Sequence, residues 1–382
     1  MGQLSVRRDH VRERRDSHPW INRVEAVSAG RLLSSVVNRR VHLPLASRSN
    51  EPSRRDALRT SLIALGVAAG SESCGRVSLK APIELRAAVD QANPLVQLPY
   101  FVARHRKLFE AQHLRITEIP WSGPAELRIA GFDRVLTGRA AGRAVTGIAV
   151  LCRSPLLLLA ARPEGRNVHR SARDLEDETV AVAGEDDPSG LFVNYVAAED
   201  GLQTDGFEMV VKGSIAAAAA ALESGEANAA VLDSSSARAL ASRVPDLELI
   251  ADTRTVAGLL STYGVSNYPA CCLYADHQWL VNNADAARRA ARAFKAAMAW
   301  IRAQPAKDIA PALPESYRSS MDASALEALI DETRPLIAFN GEFTPDGVEA
   351  VREVLAVSKP EFRDAKIAAE SYTNDYLVDD RR

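Results

Sequence analysis

The feature that most constrains the fold is the alternation, after residue 80, of short apolar runs with segments of helical period. The runs IELRAAVD (Ile83–Asp90) and ETVAVAG (Glu178–Gly184) have the length and composition of strands, whereas SIAAAAAALESGE has the composition of a helix. Beyond residue 279 the periodic segments are mostly helical. Strands that alternate with helices pair as parallel sheets flanked by helices, so the sequence predicts an α/β fold.

Two further runs, VTGIAVL and PLLLLAAR (Val145–Leu151 and Pro155–Arg162), are almost continuously apolar. Such runs are typical of strands that are covered on both faces. LRITEIPW (Leu114–Trp121) is predicted to form an earlier strand that ends at a Ser-Gly loop, and FEMVVKG, NAAVLD and LELIAD supply more strands. With 382 residues, the chain is long enough for two lobes, each with its own core.

Several classes of protein are excluded by composition and motif content. The formal net charge of −2 argues against a large nucleic-acid interface. The four cysteines lack the spacing of a zinc site, and Cys271 and Cys272 lie within an apolar run, so we expect them in the core. No stretch reaches the roughly 18–20 apolar residues of a membrane span. No phosphate-binding loop or nucleophile elbow is present, and neither a cofactor nor a metal is predicted.

The first 52 residues are rich in arginine and have no helical or strand period, which predicts a disordered leader or an over-extended start. Residues 53–79 then have the order of an export signal and a linker: Arg54 and Arg55, an apolar region at 61–69, and small residues. The segment resembles a twin-arginine signal, which implies export, cleavage and a periplasmic location. A lipid on Cys74 is an alternative anchor, and a buried N-terminal helix is the structural alternative.

Five segments, taken in order, carry a resemblance to a known family: LPYFVARHRKLFEAQHLRITEIPW, AVTGIAVLCRSPLLLLAARP, SARDLEDETVAVAGEDDPSGLFVNYV, AAAAALESGEANAAVLD and FTPDGVEAVREVLAV. They resemble the periplasmic substrate-binding proteins of ABC importers, in the group for nitrate, sulfonate, taurine and thiamine-pyrimidine precursors. The resemblance covers nearly all of residues 80–382.

The resemblance implies a two-lobed periplasmic binding protein fold of type II. Each lobe is then a mostly parallel sheet flanked by helices, and two crossovers between the lobes act as hinges. We expect lobe one to contain residues 80–161 and 273–382, and lobe two to contain residues 162–272.

One region is shorter than this resemblance leads us to expect. Family members place a helix and a strand after the Trp-Ser-Gly loop, but WSGPAELRIAGFDRVLTGRAAGRAVTG is too short to hold both. We expect a turn of helix and most of a strand to be missing between Arg128 and Gly131. The loss of an interior parallel strand would expose the core of lobe one.

The ligand of a two-lobed binding protein lies between the lobes, at loops that leave the carboxyl ends of strands. The candidate ligand-binding residues are Gln91, Asn93, Trp121, Ser189, Gly190, Asp233, Arg254 and Tyr268. Ser189 and Gly190 begin a predicted helix, whose free N–H groups suit an anion. The preceding Asp186 and Asp187 would repel an anion and would favour a cationic or heteroaromatic ligand.

Most of these candidates also have a purely structural interpretation. The alternatives are a helix cap at Asp187 or Ser189 and at Asp233, a core tryptophan at Trp121, a surface ion pair between Asp252 and Arg254, and a turn around Asn267 and Tyr268.

The resemblance implies the solute-binding component of an ABC importer. Its ligand is expected to be a sulfonate- or taurine-like anion or a pyrimidine-like heteroaromatic compound. The two lobes would close on the ligand and deliver it to a membrane permease and, through the permease, to an ATPase subunit. No enzymatic activity is expected, and the alternatives are an enzyme similar to pyrimidine-precursor synthases and a periplasmic ligand sensor.

Overall fold

The computed structural model describes residues 81–90, 93–163 and 168–378. The predicted leader, the predicted export signal with Cys74, and the candidate site residue Gln91 lie outside these residues.

The described residues form ten strands and twelve α-helices, joined in places by short 3₁₀ turns. The strands are β1 (Ile83–Val89), β2 (Leu114–Ile119), β3 (Leu127–Ala130), β4 (Val145–Cys152), β5 (Leu157–Ala161), β6 (Thr179–Val182), β7 (Glu208–Val211), β8 (Ala229–Asp233), β9 (Glu248–Asp252) and β10 (Cys271–Asp276). The helices are α1 (Leu98–His105), α2 (Phe132–Ala140), α3 (Pro188–Glu199), α4 (Ile215–Ser224), α5 (Ser234–Leu240), α6 (Val256–Tyr263), α7 (His277–Asn282), α8 (Ala284–Ala303), α9 (Ala306–Ile309), α10 (Glu315–Arg318), α11 (Ala323–Thr333) and α12 (Pro345–Ser358).

The strands form two five-stranded sheets with the same topology. Sheet one has the order β2-β1-β3-β10-β4, and sheet two has the order β7-β6-β8-β5-β9. In sheet one, β1 is parallel to β2 and β3, and β10 is antiparallel to β3 and β4. In sheet two, β6 is parallel to β7 and β8, and β5 is antiparallel to β8 and β9. Four strands of each sheet therefore share one direction, which confirms the predicted α/β fold with two lobes.

Polar side chains begin many of the helices, which explains why the chain turns at these positions. Asp187 caps α3, Ser214 caps α4, Asp322 caps α11 and Thr344 caps α12, each by accepting a hydrogen bond from a backbone N–H of the first turn. Each cap satisfies an N–H group that has no partner within the helix. The helix starts are therefore encoded locally in the sequence.

The boundary between the lobes lies earlier in the chain than the expected residue 161. Strand β5 pairs with β8 and β9, so the apolar run at 157–161 belongs to sheet two and not to lobe one. The first crossover is therefore residues 153–156, and the second crossover, residues 264–270, leads from α6 to β10 in sheet one. Both β4 and β5 are apolar throughout, so their composition alone does not tell which sheet each one joins.

The expected loss of an interior strand in lobe one is not what the structure shows. Strand β3 is present as four residues between β1 and β10, and the connection from β2 to β3 is a loop at residues 120–126 without a helix. Leu127 pairs with Ala87, near the end of β1, and Ile119 at the end of β2 pairs with Ala88. The loop therefore spans only the width of β1, and no helix is needed to cover the length of the sheet.

Helix α12 of lobe one packs against α3 of lobe two. The Asn194 side chain on α3 donates a hydrogen bond of 3.0 Å to the Ser358 hydroxyl, and the Lys359 ammonium lies 2.7 Å from the Asp186 carboxylate. The two lobes are thus joined by side-chain contacts as well as by the two crossovers.

Cys152, Cys271 and Cys272 are buried in β4 and β10, which confirms the predicted core location of the adjacent pair. Burial raises the pKa of the Cys152 thiol to about 12. Over the part of the chain that the structure describes, no helix is both long and apolar enough to cross a membrane.

Candidate ligand-binding site

A cavity of about 260 Å³ lies between the two sheets. Its walls come from residues that follow the carboxyl ends of the parallel strands, among them Asp90 after β1, Gly131 after β3, Ala183 after β6 and Gly213 after β7. Because both sheets direct the same edge toward this space, loops from both lobes meet there. This is where ligands bind in open α/β sheets.

The polar part of the cavity wall is rich in hydrogen-bond acceptors. It consists of Asp90, Asn93, Gln97, Asp133, Asp187, Ser189 and Ser214. No arginine, lysine or histidine is among the described residues that line the cavity. The electrostatic character of the site is therefore set by carboxylates.

Asp187 occupies the N-terminus of helix α3, where sequence analysis places an anion site. Its Oδ1 accepts hydrogen bonds from the backbone N–H groups of Ser189 at 2.8 Å and Gly190 at 3.2 Å, and from the Ser189 hydroxyl at 2.5 Å. The Gly190 N–H also donates to the Gly184 carbonyl at 3.1 Å. These donors are directed at the protein's own carboxylate, so the structural alternative of a helix cap is what the structure shows.

Asp133 lies in the first turn of helix α2, on the opposite side of the cavity. Its carboxylate folds over Gly131, where a Cβ atom would lie only 2.1 Å from Oδ1. The Arg134 Nε lies 3.7 Å from the Asp133 Oδ2. Burial raises the pKa of Asp133, the Arg134 charge opposes this, and the nearby Asp90 charge adds to the rise.

Gln97 presents an acceptor that has no partner within the protein. The residue precedes helix α1, is only 4% exposed and lines the cavity, yet its Oε1 makes no hydrogen bond. A buried polar atom without a partner is costly, and such atoms commonly mark the position of a ligand or water. Gln97 thus brings an amide with an unsatisfied acceptor to the cavity wall.

Aromatic rings form another wall of the cavity. Tyr263 and Tyr268 are stacked, with ring centroids 4.3 Å apart and an interplanar angle of 17°, and Phe192 lies 6.4 Å from Tyr263. All three line the cavity, and burial raises the pKa of both tyrosine hydroxyls. The tyrosines therefore stay neutral, and the wall offers ring faces to a planar or cationic ligand.

The structure brings three of the predicted site residues together at this cavity: Asn93, Ser189 and Tyr268. Gly190 follows Ser189 in the first turn of α3, and its N–H points to Asp187 and Gly184. The Asn93 side chain also orders its own loop, because Oδ1 accepts a hydrogen bond of 3.1 Å from the Leu95 N–H.

Trp121 lies outside the cavity, in the loop at residues 120–126 that joins β2 to β3. Its ring is 38% exposed and stacks against the Arg128 guanidinium, whose Cζ lies 5.1 Å from the ring centroid. Arg128 also donates hydrogen bonds of 2.8 Å to the carbonyls of Trp121 and Gly123. Trp121 is therefore neither a core residue nor a wall of the site.

Asp233 and Arg254 also lie away from the cavity, in sheet two. Asp233 caps α5 by accepting a hydrogen bond of 2.7 Å from the Ser236 N–H. Arg254 makes a bidentate contact with Asp252, at 2.9 Å from Nε and 2.6 Å from Nη2, and this hydrogen bonding raises the pKa of the guanidinium. Both residues have the structural role that the sequence left open as an alternative.

Sequence analysis missed Asp90, Gln97, Asp133, Ser214 and Tyr263 as cavity residues. For Asp90 a signal was available, because it is the last residue of a predicted strand. Asp133 and Tyr263 carry no such signal, since the strand before the former is only four residues long and the latter ends a helix.

Comparison with known proteins places the chain in a family. The family model described as "NMT1/THI5 like" matches residues 107–308, which is more than half of the 382 residues. No curated protein sequence matches the chain. Among solved structures, a protein from Bordetella bronchiseptica RB50 is 25% identical, with a TM-score of 0.65 over 78% of this chain and 96% of that one.

Two other solved structures show the range of roles that this fold supports. The periplasmic aliphatic sulphonate binding protein SsuA from Escherichia coli is 14% identical, with a TM-score of 0.58 over 78% of this chain and 97% of that one. The desulfurization enzyme DszB is 13% identical, with a TM-score of 0.54 over 78% of this chain and 98% of that one. At these identities the likeness shows the fold alone. The resemblance drawn from the sequence is confirmed by the family match and the periplasmic binding protein fold: the chain belongs to the NMT1/THI5-like family.

Proposed function

We propose that this protein is the extracytoplasmic solute-binding component of an ABC importer. It binds a small organic compound in the cavity between the sheets, closes its two lobes on that compound and delivers it to a membrane permease, which works with an ATPase subunit. The observation that carries the proposal is the cavity itself, whose walls come from both lobes at the carboxyl ends of their strands.

The two crossovers support the closing motion. Arg153, in the first crossover, donates from Nη1 to the Ser266 carbonyl at 3.0 Å, and its own carbonyl accepts the Tyr268 N–H at 3.2 Å. The two crossovers are therefore bonded side by side, as paired hinge segments would be. Leu156, in the same crossover, has a φ of 56°, a left-handed conformation that a buried leucine adopts only under constraint.

Of the two ligand classes considered from the sequence, the cavity favours the heteroaromatic one. The rings of Tyr263 and Tyr268 line the cavity, and an aromatic wall suits a planar ligand. A sulfonate would instead face the carboxylates of Asp133 and Asp187 without a lining cation to balance its charge.

An enzymatic role is the second candidate, because the desulfurization enzyme DszB shares the fold. The Ser189 hydroxyl donates to the Asp187 carboxylate and accepts from the Ala183 N–H at 2.9 Å, and that carboxylate also accepts two backbone N–H groups. Both side chains are therefore held in the start of helix α3. No cysteine, histidine or lysine lines the cavity among the described residues. The cavity chemistry thus favours reversible binding, and a ligand sensor would share this property but not the permease.

Native mass spectrometry of protein purified from the periplasm tests this proposal. We expect a small molecule to co-purify, to be released unchanged on unfolding, and to lower the radius of gyration in solution scattering when it is added back. Closure is expected because a ligand held by both lobes binds the closed state more tightly. Chemical conversion of the molecule, or an unchanged scattering profile at saturation, would contradict the solute-binding role.

Export is a separate part of the proposal and rests on the sequence of residues 53–79. Replacing Arg54 and Arg55 together with lysine should leave precursor in the cytoplasm, since the twin-arginine pathway reads the arginine pair. Cell fractionation measures this, with the Arg59→Lys variant as a matched control. Equal export of the double variant would contradict the twin-arginine signal. Metabolic labelling with a fatty acid would show whether Cys74 carries a lipid.

A further inference from the structure

We propose that the cavity selects an organic cation, an ammonium or amidinium group on a planar body, and discriminates against anions. This inference rests on the proposed solute-binding function and specifies the ligand class of the same site. It is opposite in charge to the sulphonate that the relative SsuA is named for.

The first argument is the balance of charge in the wall. Asp90, Asp133 and Asp187 contribute carboxylates, and the described lining residues include no basic side chain. Two basic groups lie near the cavity without lining it: Arg134 is 3.7 Å from the lining Asp133, and Lys359 is 2.7 Å from Asp186. A cation that enters the cavity therefore gains favourable Coulomb energy in a region that is shielded from water.

The second argument is that two helix N-termini at the cavity, those of α3 and α4, are already capped by side chains of the protein. Asp187 accepts the first-turn N–H groups of α3, and Ser214 accepts the Ala217 N–H of α4 at 3.1 Å. No side chain caps α2, but its first turn carries the Asp133 carboxylate, whose charge would repel an anion there. Helix N-termini are the usual anion sites of such folds, and an anion would have to displace these groups.

The third argument is independent of charge and concerns Gln97. Gln97 lines the cavity, and its buried Oε1 lacks a hydrogen-bond donor. An acceptor in this state is satisfied by an N–H or O–H group of a ligand, and an anion without protons supplies none. Ammonium and amidinium groups supply several donors at once.

The stacked pair of Tyr263 and Tyr268 completes the site for such a ligand. A cation over a tyrosine ring is attracted by the negative face of the ring, and this attraction increases when water is excluded. A planar amidinium can stack on the ring while its N–H groups point to Gln97 and the carboxylates.

Isothermal titration with matched probes tests the selection. The probes are benzamidinium, benzoate and benzenesulfonate, which share one ring and differ in the charged group. We expect benzamidinium to bind the purified protein at least about tenfold more tightly than either anion, a ratio that corresponds to roughly one charge-assisted hydrogen bond. Tighter binding of an anion, or no binding of benzamidinium at millimolar concentration, would overturn the proposal.

Variants connect the binding to the named groups. Asp133→Asn and Asp90→Asn should each weaken benzamidinium binding about tenfold and leave benzoate binding equal or tighter. The melting temperature of Asp133→Asn should not fall, because burial already disfavours the ionised carboxylate there. Asp205→Asn, at an exposed position, is the matched control and should change nothing. Unchanged affinity in both cavity variants would overturn the assignment.

Solution scattering on the same samples separates this inference from the proposed function. Benzamidinium binding without a decrease in the radius of gyration would support the ligand class and contradict lobe closure. Closure on benzoate or benzenesulfonate would support the solute-binding function and overturn the cation selection.

Discussion

In both sheets, a similar side-chain hydrogen bond holds the start of the third strand against its neighbour. The two sheets differ in how their strands are covered by other elements. In sheet two, Asn228 precedes β8, donates its N–H to the Thr179 carbonyl at 2.9 Å and accepts the Thr179 N–H on Oδ1 at 3.0 Å. In sheet one, Glu126 precedes β3, donates its N–H to the Arg86 carbonyl at 3.1 Å and accepts the Arg86 N–H on Oε2 at 2.7 Å. A side-chain oxygen thus replaces a strand carbonyl in both places.

The contact lies at a different position along the neighbouring strand in each sheet, which is β6 in sheet two and β1 in sheet one. Thr179 is the first residue of β6, so β8 accompanies β6 from its start. Arg86 is the fourth residue of β1, so residues 83–85 lie beyond the contact. Helix α4 connects β7 to β8 in sheet two, whereas the loop at 120–126 makes the corresponding connection in sheet one.

The strand sequences agree with this difference in cover. Exposed charged residues, Glu84, Arg86 and Arg115, alternate with more buried ones along β1 and β2. By contrast, β6, the counterpart of β1, has no exposed residue, whereas the third strands are similar: β8 is buried over four of its five residues and β3 over three of its four. Alternation is typical of a sheet with one solvated face, and continuous apolar runs are typical of a sheet covered on both faces. The shortened connection of lobe one is therefore matched by its strands and leaves no core exposed.

The largest contrast between the lobes is expected at the glycines that begin their helices. At Gly190 in α3, a Cβ atom would lie 2.2 Å from the Glu185 carbonyl oxygen and 2.4 Å from that of Gly184, both in the backbone. At Gly131 before α2, it would meet the Asp133 side chain, which can rotate away. Urea denaturation should show a loss of about 3 kcal/mol for Gly190→Ala and less than about 1 kcal/mol for Gly131→Ala.

Equal losses for the two glycine variants would contradict this difference between the helix starts. Ala198→Ser, at an exposed position of α3, is the control for substitution in that helix and should have little effect.

The next contrast concerns the two hydrogen-bonded contacts at the starts of the third strands, Asn228 with Thr179 in sheet two and Glu126 with Arg86 in sheet one. Asn228→Ala should cost about 2 kcal/mol, because the Thr179 N–H loses its acceptor where helix α4 restricts water. Glu126→Ala should cost about 1 kcal/mol or less, because water can reach the exposed Arg86 in its place. Urea denaturation measures both, and Glu126→Gln, which keeps an acceptor oxygen, is the matched control. A larger loss for Glu126→Ala would mean that the loop, and not the covered sheet, limits stability.

A third contrast is in pH dependence, because His169 joins two strand ends of sheet two. His169 is buried, with Nδ1 2.8 Å from Glu248 and Nε2 3.0 Å from Glu178. Burial lowers the pKa of His169, but the two glutamates outweigh it, so the net shift is upward from 6.5. A raised histidine pKa contributes stability that is complete below the unfolded pKa and is lost as the pH rises through the folded one.

Thermal melts from about pH 5 to about pH 9 should therefore compare the wild type with His169→Gln. The difference in melting temperature should be largest at about pH 5, where even an ordinary histidine is almost fully protonated. The gap should shrink toward about pH 9, where the imidazole is neutral. A gap that stays constant with pH would contradict a charged His169 in the folded protein.

The sequence predicted the sheets better than it predicted their assembly. Strands such as β1, β4 and β9 follow from apolar runs of sufficient length, and the helix at Asp187-Pro188 follows from its cap. Strand β3 has only four residues, too few for a periodic signal, and its presence depends on the register with β1 and β10. Register is a property of paired strands and is not encoded in either strand alone.

The site was partly predictable: Asn93 lies in the loop after a recognisable strand, Ser189 begins a helix, and Tyr268 lies in the return crossover between the lobes. Gln97 and Asp133 lie 36 residues apart in number and meet because β1 and β3 are neighbours in sheet one. The sequence predicts that Asp187 and Ser214 cap helices. Whether these caps exclude anions from the site depends on which helices face the cavity, and the sequence does not show this. The charge of the site is therefore a three-dimensional property.

The smallest effect is expected at Trp121, on the uncovered side of sheet one. Its ring stacks on Arg128, which holds the loop at 121–123 through two carbonyl hydrogen bonds, and the ring is well exposed. Trp121→Ala should reduce the free energy of unfolding by about 0.5–1 kcal/mol, the value of an exposed cation–π contact. Trp121→Phe, which keeps a ring face, should recover part of the lost stability.

Because Trp121 is absent from the cavity wall, titration of both variants with benzamidinium should give wild-type affinity. A loss of affinity without a loss of stability would place the ligand against the uncovered loop and not between the sheets.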